Sequence, residues 1–533
     1  MTARVRRGPA QSAFDRAGFE RDLEEFHAEL NDAYYRNLAG LSEELALRPI
    51  YDRHAALFER GTIDALQSAT AGGRTSEART SEARQLRSLA AFAIEGHLAA
   101  QVADLTRQIE EAESRAVIVW RGDRIRYRAA PLRIAEIADR AERNALDASY
   151  REAMEMINPL REARWERLHD AAVTLGHDDY VALVRSTAGF DPDALATELY
   201  RFLAESETIY FAALRRYLAL IEIEAGDASA ADLARLLRAS GWDSWFEQRR
   251  LLPTLRATLA GLGIDLDAQA NVTLDLDARP NKSPRAFCAP VRVPGDVRMV
   301  IQPRGGYHDY LAALHELGHL EHFAHVDPSL PIAFRLTGDA SLTEGYAFLF
   351  DQLVNEPEWL AEVLGMADQE IAGFLDFVSF RRLYLLRRYA AKLMYELRLH
   401  RGAQPAALNR AYYAGMLGLT VGVQTPEASY LADVDDGLYA GRYLRAWMFE
   451  SALASSLKRL HGDRWWSSAA AGETLKRSWS RGQEWDAEDA VAHLGYHHLD
   501  WRPVLRQIRT QLIGEMSGYG GPNITTRAGT RKV

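Results

Sequence analysis

Cysteine is nearly absent from this 533-residue chain, with Cys288 the single one. One cysteine forms no internal disulfide and builds no cysteine-based zinc finger or iron–sulfur cluster. The pattern fits a reducing compartment. An excess of positive charge is missing too. The 64 Lys and Arg stand against 74 Asp and Glu, a formal net charge of −10, so nothing points to nucleic acid as a partner. The longest uncharged apolar stretch, Ala411–Val423, is too short to span a bilayer. The opening MTARVRRGPAQSAFDR has basic residues with no apolar run behind them, unlike a secretory leader. A cytoplasmic protein without a membrane partner is expected. Proline is sparse, which leaves long windows open to helix.

What is present is ordinary globular material, 47% hydrophobic and 26% charged, ample for a core and poor for disorder. Leu98, Val102, Leu105 and Ile109 recur at the spacing of one helix face, and Ile371, Phe374, Leu375 and Val378 repeat the pattern,. Val117–Tyr127 alternates around a Gly-Asp pair and reads as a hairpin on a helical body,. The doubled TSEAR of Thr75–Arg84 is too short for a repeat architecture. Prolines cluster in Gly261–Gly306 with short β-like runs, Val272–Leu276 and Val297–Gln302, so a small sheet is expected there. The expected organisation is an N-terminal helical lobe over 1–260, a second lobe over 261–512, and a disordered Gly/Ser/Thr-rich tail from 513,.

Chemistry enters at His315-Glu316-Leu317-Gly318-His319, an H-E-x-x-H sequence. Histidines at i and i+4 share one helix face and can bind one Zn²⁺ together. Glu316 lies about 100° further round the helix, beside the metal, where a carboxylate can take a proton from a zinc-activated water. Gly318 removes a side chain near that face and leaves room for a substrate or a packing strand,. Tyr310, Leu311, Leu314, Leu317 and Leu320 form an apolar flank that argues for a buried helix. His322 reads as a structural or metal-supporting residue, and His325 as a cationic ring at the helix end.

An open zinc site needs a third protein ligand. Glu344, in Ser341-Leu-Thr-Glu344-Gly-Tyr-Ala, is the strongest candidate, since no histidine lies between His325 and His400. The competing reading is a capping box, Ser341-x-x-Glu344. Asp339 is the second candidate, as ligand or as a carboxylate that orients a histidine.

HELGHLEH (His315–His322), with Arg285-Ala-Phe-Cys-Ala-Pro290 upstream and Glu344 twenty-five residues past His319, resembles the M3 family of zinc peptidases, the thimet oligopeptidase and oligoendopeptidase F type. The specific part of the match spans about 280–353. The resemblance implies a mainly α fold, a multi-helix ellipsoid with a deep substrate channel and a small β-sheet next to the HExxH helix. It also implies one Zn²⁺ per chain on His315, His319 and Glu344, Glu316 as general base, and short peptides as substrates. The M32 carboxypeptidases are a rival likeness with a similar layout. The Glu344-Gly-Tyr-Ala segment departs from the M3 pattern. So does Tyr430–Leu444, the counterpart of a segment that in M3 enzymes supplies a histidine and paired tyrosines to the tetrahedral intermediate: it keeps tyrosines and has no histidine. Tyr439 and Tyr443 are the oxyanion-donor candidates, with helix packing as the alternative. That missing histidine also motivates a different class of function, a degenerate zinc-binding peptide or scaffold protein. The resemblance further implies that an edge strand at Val297–Gln302 borders the metal helix and pairs with substrate backbone.

Remaining features read as structural. The arginine pairs Arg381-Arg382 and Arg387-Arg388 run along a helix surface, with an acidic-substrate channel or a grip on a peptide C-terminus as the alternatives. Trp465, Trp466, Trp479, Trp485 and Trp501 read as packing. Gly305-Gly306 lacks a phosphate-loop lysine, and Cys288 reads as a small apolar residue.

Overall fold

The structure, a computed structural model, describes residues 14–71, 81–279, 281–283, 285–402 and 404–513. Most of the TSEAR repeat and the tail from Gly514 lie outside them, and Ser81 opens a helix that runs to Arg115. Helix dominates, with long segments at Ser81–Arg115, Arg140–Thr174, Pro192–Ala219, Asp368–Leu399 and Tyr439–His461. Several helices start on a side chain that accepts an otherwise unpaired backbone N–H: Asp139 from Glu142, Asp179 from Ala182, Ser229 from Asp232. Each such cap stabilises by about 1 kcal/mol. No helix among the described residues is long and apolar enough to cross a membrane.

The periodic apolar positions do face inward. Leu98, Val102, Ile371, Phe374 and Val378 are buried, each full burial of such a side chain being worth roughly 1.5–3 kcal/mol. One apolar cluster extends from Phe19 to Leu512, so the two expected lobes share a core across residue 260. Helix Pro192–Ala219 packs on helix Asp368–Leu399, with Tyr217 stacked on Phe380 at 4.7 Å between ring centres. Helix Arg16–Leu38 lies against the strand Phe287–Arg292.

The hairpin forms from Val117–Trp120 and Asp123–Arg126. Its two-residue turn puts Arg121 at φ 53° and Gly122 at φ 85°, the positive values that such turns require. The small sheet holds three strands, Val272–Asp275, Phe287–Arg292 and Asp296–Val300, with the last in the middle. It runs parallel to the first and antiparallel to the second. The expectation of an edge strand at Val297–Gln302 is therefore corrected: both sides of that strand already carry ladder hydrogen bonds. The outer strands are Val272–Asp275 and Phe287–Arg292, the second of which the run of prolines had hidden. Pro290, lacking a donor, is tolerated because the strand lies at the edge, with a register shift between Pro290 and Arg292,. The HExxH helix, Tyr307–Ala324, packs on Phe287–Arg292 and Asp296–Val300.

Candidate metal centre

The Tyr307–Ala324 helix buries Tyr310, Leu314, Leu317 and Leu320 completely and turns His315 and His319 the other way, their side chains 18% and 13% exposed. That face meets helix Ala340–Asp351, which packs in turn on helix Tyr439–His461. Two glycines permit the approach. A Cβ on Gly318 would stand 2.6 Å from Ala347 Cα, and one on Gly345 would stand 2.3 Å from Phe449 Cδ1. The space at Gly318 is thus filled by a helix and not by a substrate or a strand.

The crossing brings together the ligand set expected from sequence. A ring nitrogen of His315, one of His319 and a Glu344 carboxylate oxygen lie within 4.8 Å of one another. Glu344 Oε2 is 3.2 Å from His315 Nε2 and 3.6 Å from His319 Nε2. Two ligands at the usual zinc distance in a tetrahedron stand about 3.3 Å apart. The capping box does not form. Asp339 is the N-cap and accepts from the Ser341 N–H, which leaves Glu344 in the helix body, facing the histidines.

The protonation pattern shows that these residues fit a cation. His315 Nδ1 lies 3.1 Å from Asp351 Oδ2. A carboxylate can only accept, so the ring donates there and the Nε2 of the neutral ring is left as an acceptor. His319 Nδ1 meets Thr343 Oγ1 at 3.0 Å, which in the same tautomer frees its Nε2 likewise. Both acceptors face Glu344 Oε2, which is buried without a hydrogen-bond donor. Three lone pairs that converge in a dry pocket are costly unless a positive charge sits among them. Burial pushes the Glu344 carboxyl up, but His315 and His319 overcome that and hold it far below the usual range. Burial lowers the His315 ring, while Asp351 and Glu344 outweigh it and push the ring well up, so a proton on Nε2 takes the cation's place until a metal ion displaces it. The cluster can bind a metal ion.

Glu316 stands beside this set and outside it. Its Oε2 accepts the Cys288 backbone N–H at 2.8 Å, so the edge strand positions it. Burial raises its carboxyl above the ordinary value against the pull of the two histidines. Burial and the Glu316 charge also push the Cys288 thiol well up, so Cys288 is no thiolate nucleophile. The Tyr439 hydroxyl donates to Glu344 Oε1 at 2.7 Å. Tyr443 stacks edge-on against Tyr439 and lines a cavity with His315.

Other expected residues fall elsewhere. Asp339 touches no histidine: it caps its helix and pairs with Arg445. The orienting carboxylate is Asp351, which sequence reading passed over. Its signal was available, since seven residues past Glu344 is two turns along the same helix face. Thr343, next to Glu344, was missed as well. His322 is buried and donates to the Gly482 carbonyl, and burial pushes its ring down to about 3. His325 does cap the helix, but burial lowers its ring, which corrects the expected cation. Arg382 pairs with Glu450 and Arg388 with Asp433, while Arg387 is spent on Leu203, Ser206 and Thr420. Arg382 and Arg387 are buried links to other helices and Arg388 a half-buried link to a turn, where surface arginines had been expected; Arg381 lines the cavity. Trp465, Trp466, Trp479 and Trp501 are buried, and Trp485 stacks on His493.

No protein-family model and no curated protein matches the chain.

Proposed function

We propose that this chain is a zinc-dependent peptidase that hydrolyses short peptides, as its resemblance to the M3 family implies. The observation that carries the reading is Glu316: a carboxylate held beside the cluster by a strand N–H, with its own proton affinity raised. A purely structural zinc site has no use for such a group. Zinc bound by His315, His319 and Glu344 supplies Lewis acidity towards a carbonyl and makes water easier to deprotonate. Glu316 takes the proton of the attacking water and delivers it to the departing amine, so that a C–N bond is exchanged for an acid and an amine. Asp351 and Thr343 hold the two rings with Nε2 inward,. Tyr443, whose hydroxyl has no hydrogen-bond partner among the described residues, is the better placed oxyanion donor. The Tyr439 hydroxyl is already spent on Glu344,.

The test is cleavage of internally quenched short peptides by the purified protein, with chelator and then with zinc restored. Activity should vanish and return. Glu316→Gln should keep zinc and lose about 10²–10⁴-fold in turnover. Stoichiometric zinc without any cleavage would favour the scaffold alternative.

A further inference from the structure

Helix Asp368–Leu399 carries four arginines into the interior, and three are matched: Arg382 by Glu450, Arg388 by Asp433 at 2.5 Å, and Arg387 by two carbonyls and the Ser206 hydroxyl. Arg381 differs. Among the described residues it has no ion pair. Its Nη1 donates to the Tyr307 hydroxyl at 3.4 Å, and the guanidinium lies over that ring at 5.6 Å from the centroid. It is half-buried, where an unmatched cation is expensive to keep.

Arg381 lines a cavity of about 230 Å³ whose wall includes the ligand-candidate His315. The other charges in that wall are spoken for. Asp351 gives one oxygen to His315 and accepts from Gln352 with the other, and Arg382 is held by Glu450. Asn355, 3% exposed, lines the same space with its Oδ1 buried and unpaired. The cavity therefore offers one free planar cation and one free acceptor beside the candidate centre. The complement is a carboxylate carried next to an N–H, which is the end of a peptide. Guanidinium binds such a group through paired hydrogen bonds. The volume is below the range of ordinary small-molecule pockets and is enough for the end of a chain.

We propose that Arg381 receives a carboxylate of the peptide substrate in this cavity, and that the carboxylate is the chain terminus, so that residues are removed from the C-terminal end. The cleavage part rests on the peptidase reading; the binding part stands without it. Arg381 is a specificity residue here.

The test uses one neutral pentapeptide as free acid, as C-terminal amide, and as an amide whose last residue is glutamate. Calorimetric Kd values are measured on zinc-loaded Glu316→Gln protein, with and without Arg381→Met or Arg381→Lys, and wild-type digests are read by mass spectrometry. The acid should bind about 10–100-fold tighter than the amide. Arg381→Met should bring that ratio to about one, and Arg381→Lys should keep part of it. Digests should show loss from the C-terminus. A glutamate amide that binds as tightly as the acid would overturn the terminal assignment and place a side-chain carboxylate at Arg381. Equal binding of acid and amide, or an unchanged ratio in Arg381→Met, would overturn the proposal outright. An intact ratio with no cleavage of any peptide would sink the peptidase reading and support the carboxylate site.

Discussion

The Ala340–Asp351 helix places two carboxylates at its ends of use in opposite situations. At its start, Asp339 is buried and completely matched. It caps the helix, accepts from the Ala487 N–H, and pairs with Arg445, which also holds Ser341 and Glu488. Burial would raise its carboxyl, but Arg445 keeps it below the ordinary range. One turn on, Glu344 is just as inaccessible, yet Oε2 has no hydrogen-bond donor and two histidine nitrogens face it. Both positions pay desolvation. Asp339 recovers it from an arginine that is always positive, Glu344 only from two histidine rings that must carry an extra proton to supply a charge. A buried polar set that is complete within the chain holds helices together; one that is incomplete is waiting for something from outside.

Three substitutions sharpen that contrast. The largest effect belongs to the closed end. Arg445→Ala leaves Asp339 buried and unpaired and should cost about 3–5 kcal/mol in denaturant unfolding, while the isolated ligand chemistry at Glu344 is untouched. A loss below about 1 kcal/mol would mean that the cluster is not what joins these helices.

Glu321 is an intermediate case, on the side of the HExxH helix turned away from the candidate centre. It is fully buried, takes one hydrogen bond from Gln269, and leaves Oε2 without a hydrogen bond, 3.4 Å from the His325 ring. Burial raises its carboxyl to about 7. A folded value above the unfolded one means that the native state binds the extra proton between about pH 4.5 and 7. The group's contribution is then fully present below that window and is lost as pH rises through 7. Glu321→Gln should flatten the decline and gain about 2–3 kcal/mol at pH 8 relative to the parent. Parallel stability curves for the two proteins across pH 4–9 would refute it.

The smallest effect belongs to the open end. Asp351→Ala removes the acceptor that fixes the His315 tautomer and should weaken zinc binding by about 10–100-fold in a competition titration. An unchanged affinity would show that the carboxylate does not orient the ring.

Much of the candidate centre was legible in one dimension because its geometry is local. The spacing of His315, Glu316 and His319 dictates which share a helix face and which stands aside, whatever the helix packs on. Glu344 was reachable by chemistry and elimination, and the mainly helical fold by periodicity and the scarcity of proline. Asp351 was hidden although the same local rule applied to it, since an acid at i+7 gives no sign of a partner until the partner's helix is in place. The strand containing Pro290 was hidden because proline is tolerated there only at a sheet edge, and edges are a property of the assembled sheet.

The residue order alone therefore determined the helix-borne ligand spacing, the carboxylate beside it, and the amphipathic faces that build a helical core. Tertiary structure decided the rest: that Gly318 and Gly345 let three helices close on one another, that Asp339 seals a helix end while Glu344 stays open, and that Arg381, unlike Arg382 and Arg388, meets no anion among the described residues and, unlike Arg387, no set of carbonyls. These depend on which distant groups meet. Hydrogen bonding and charge pairing act over a few ångströms, and only packing brings residues hundreds of positions apart within that reach.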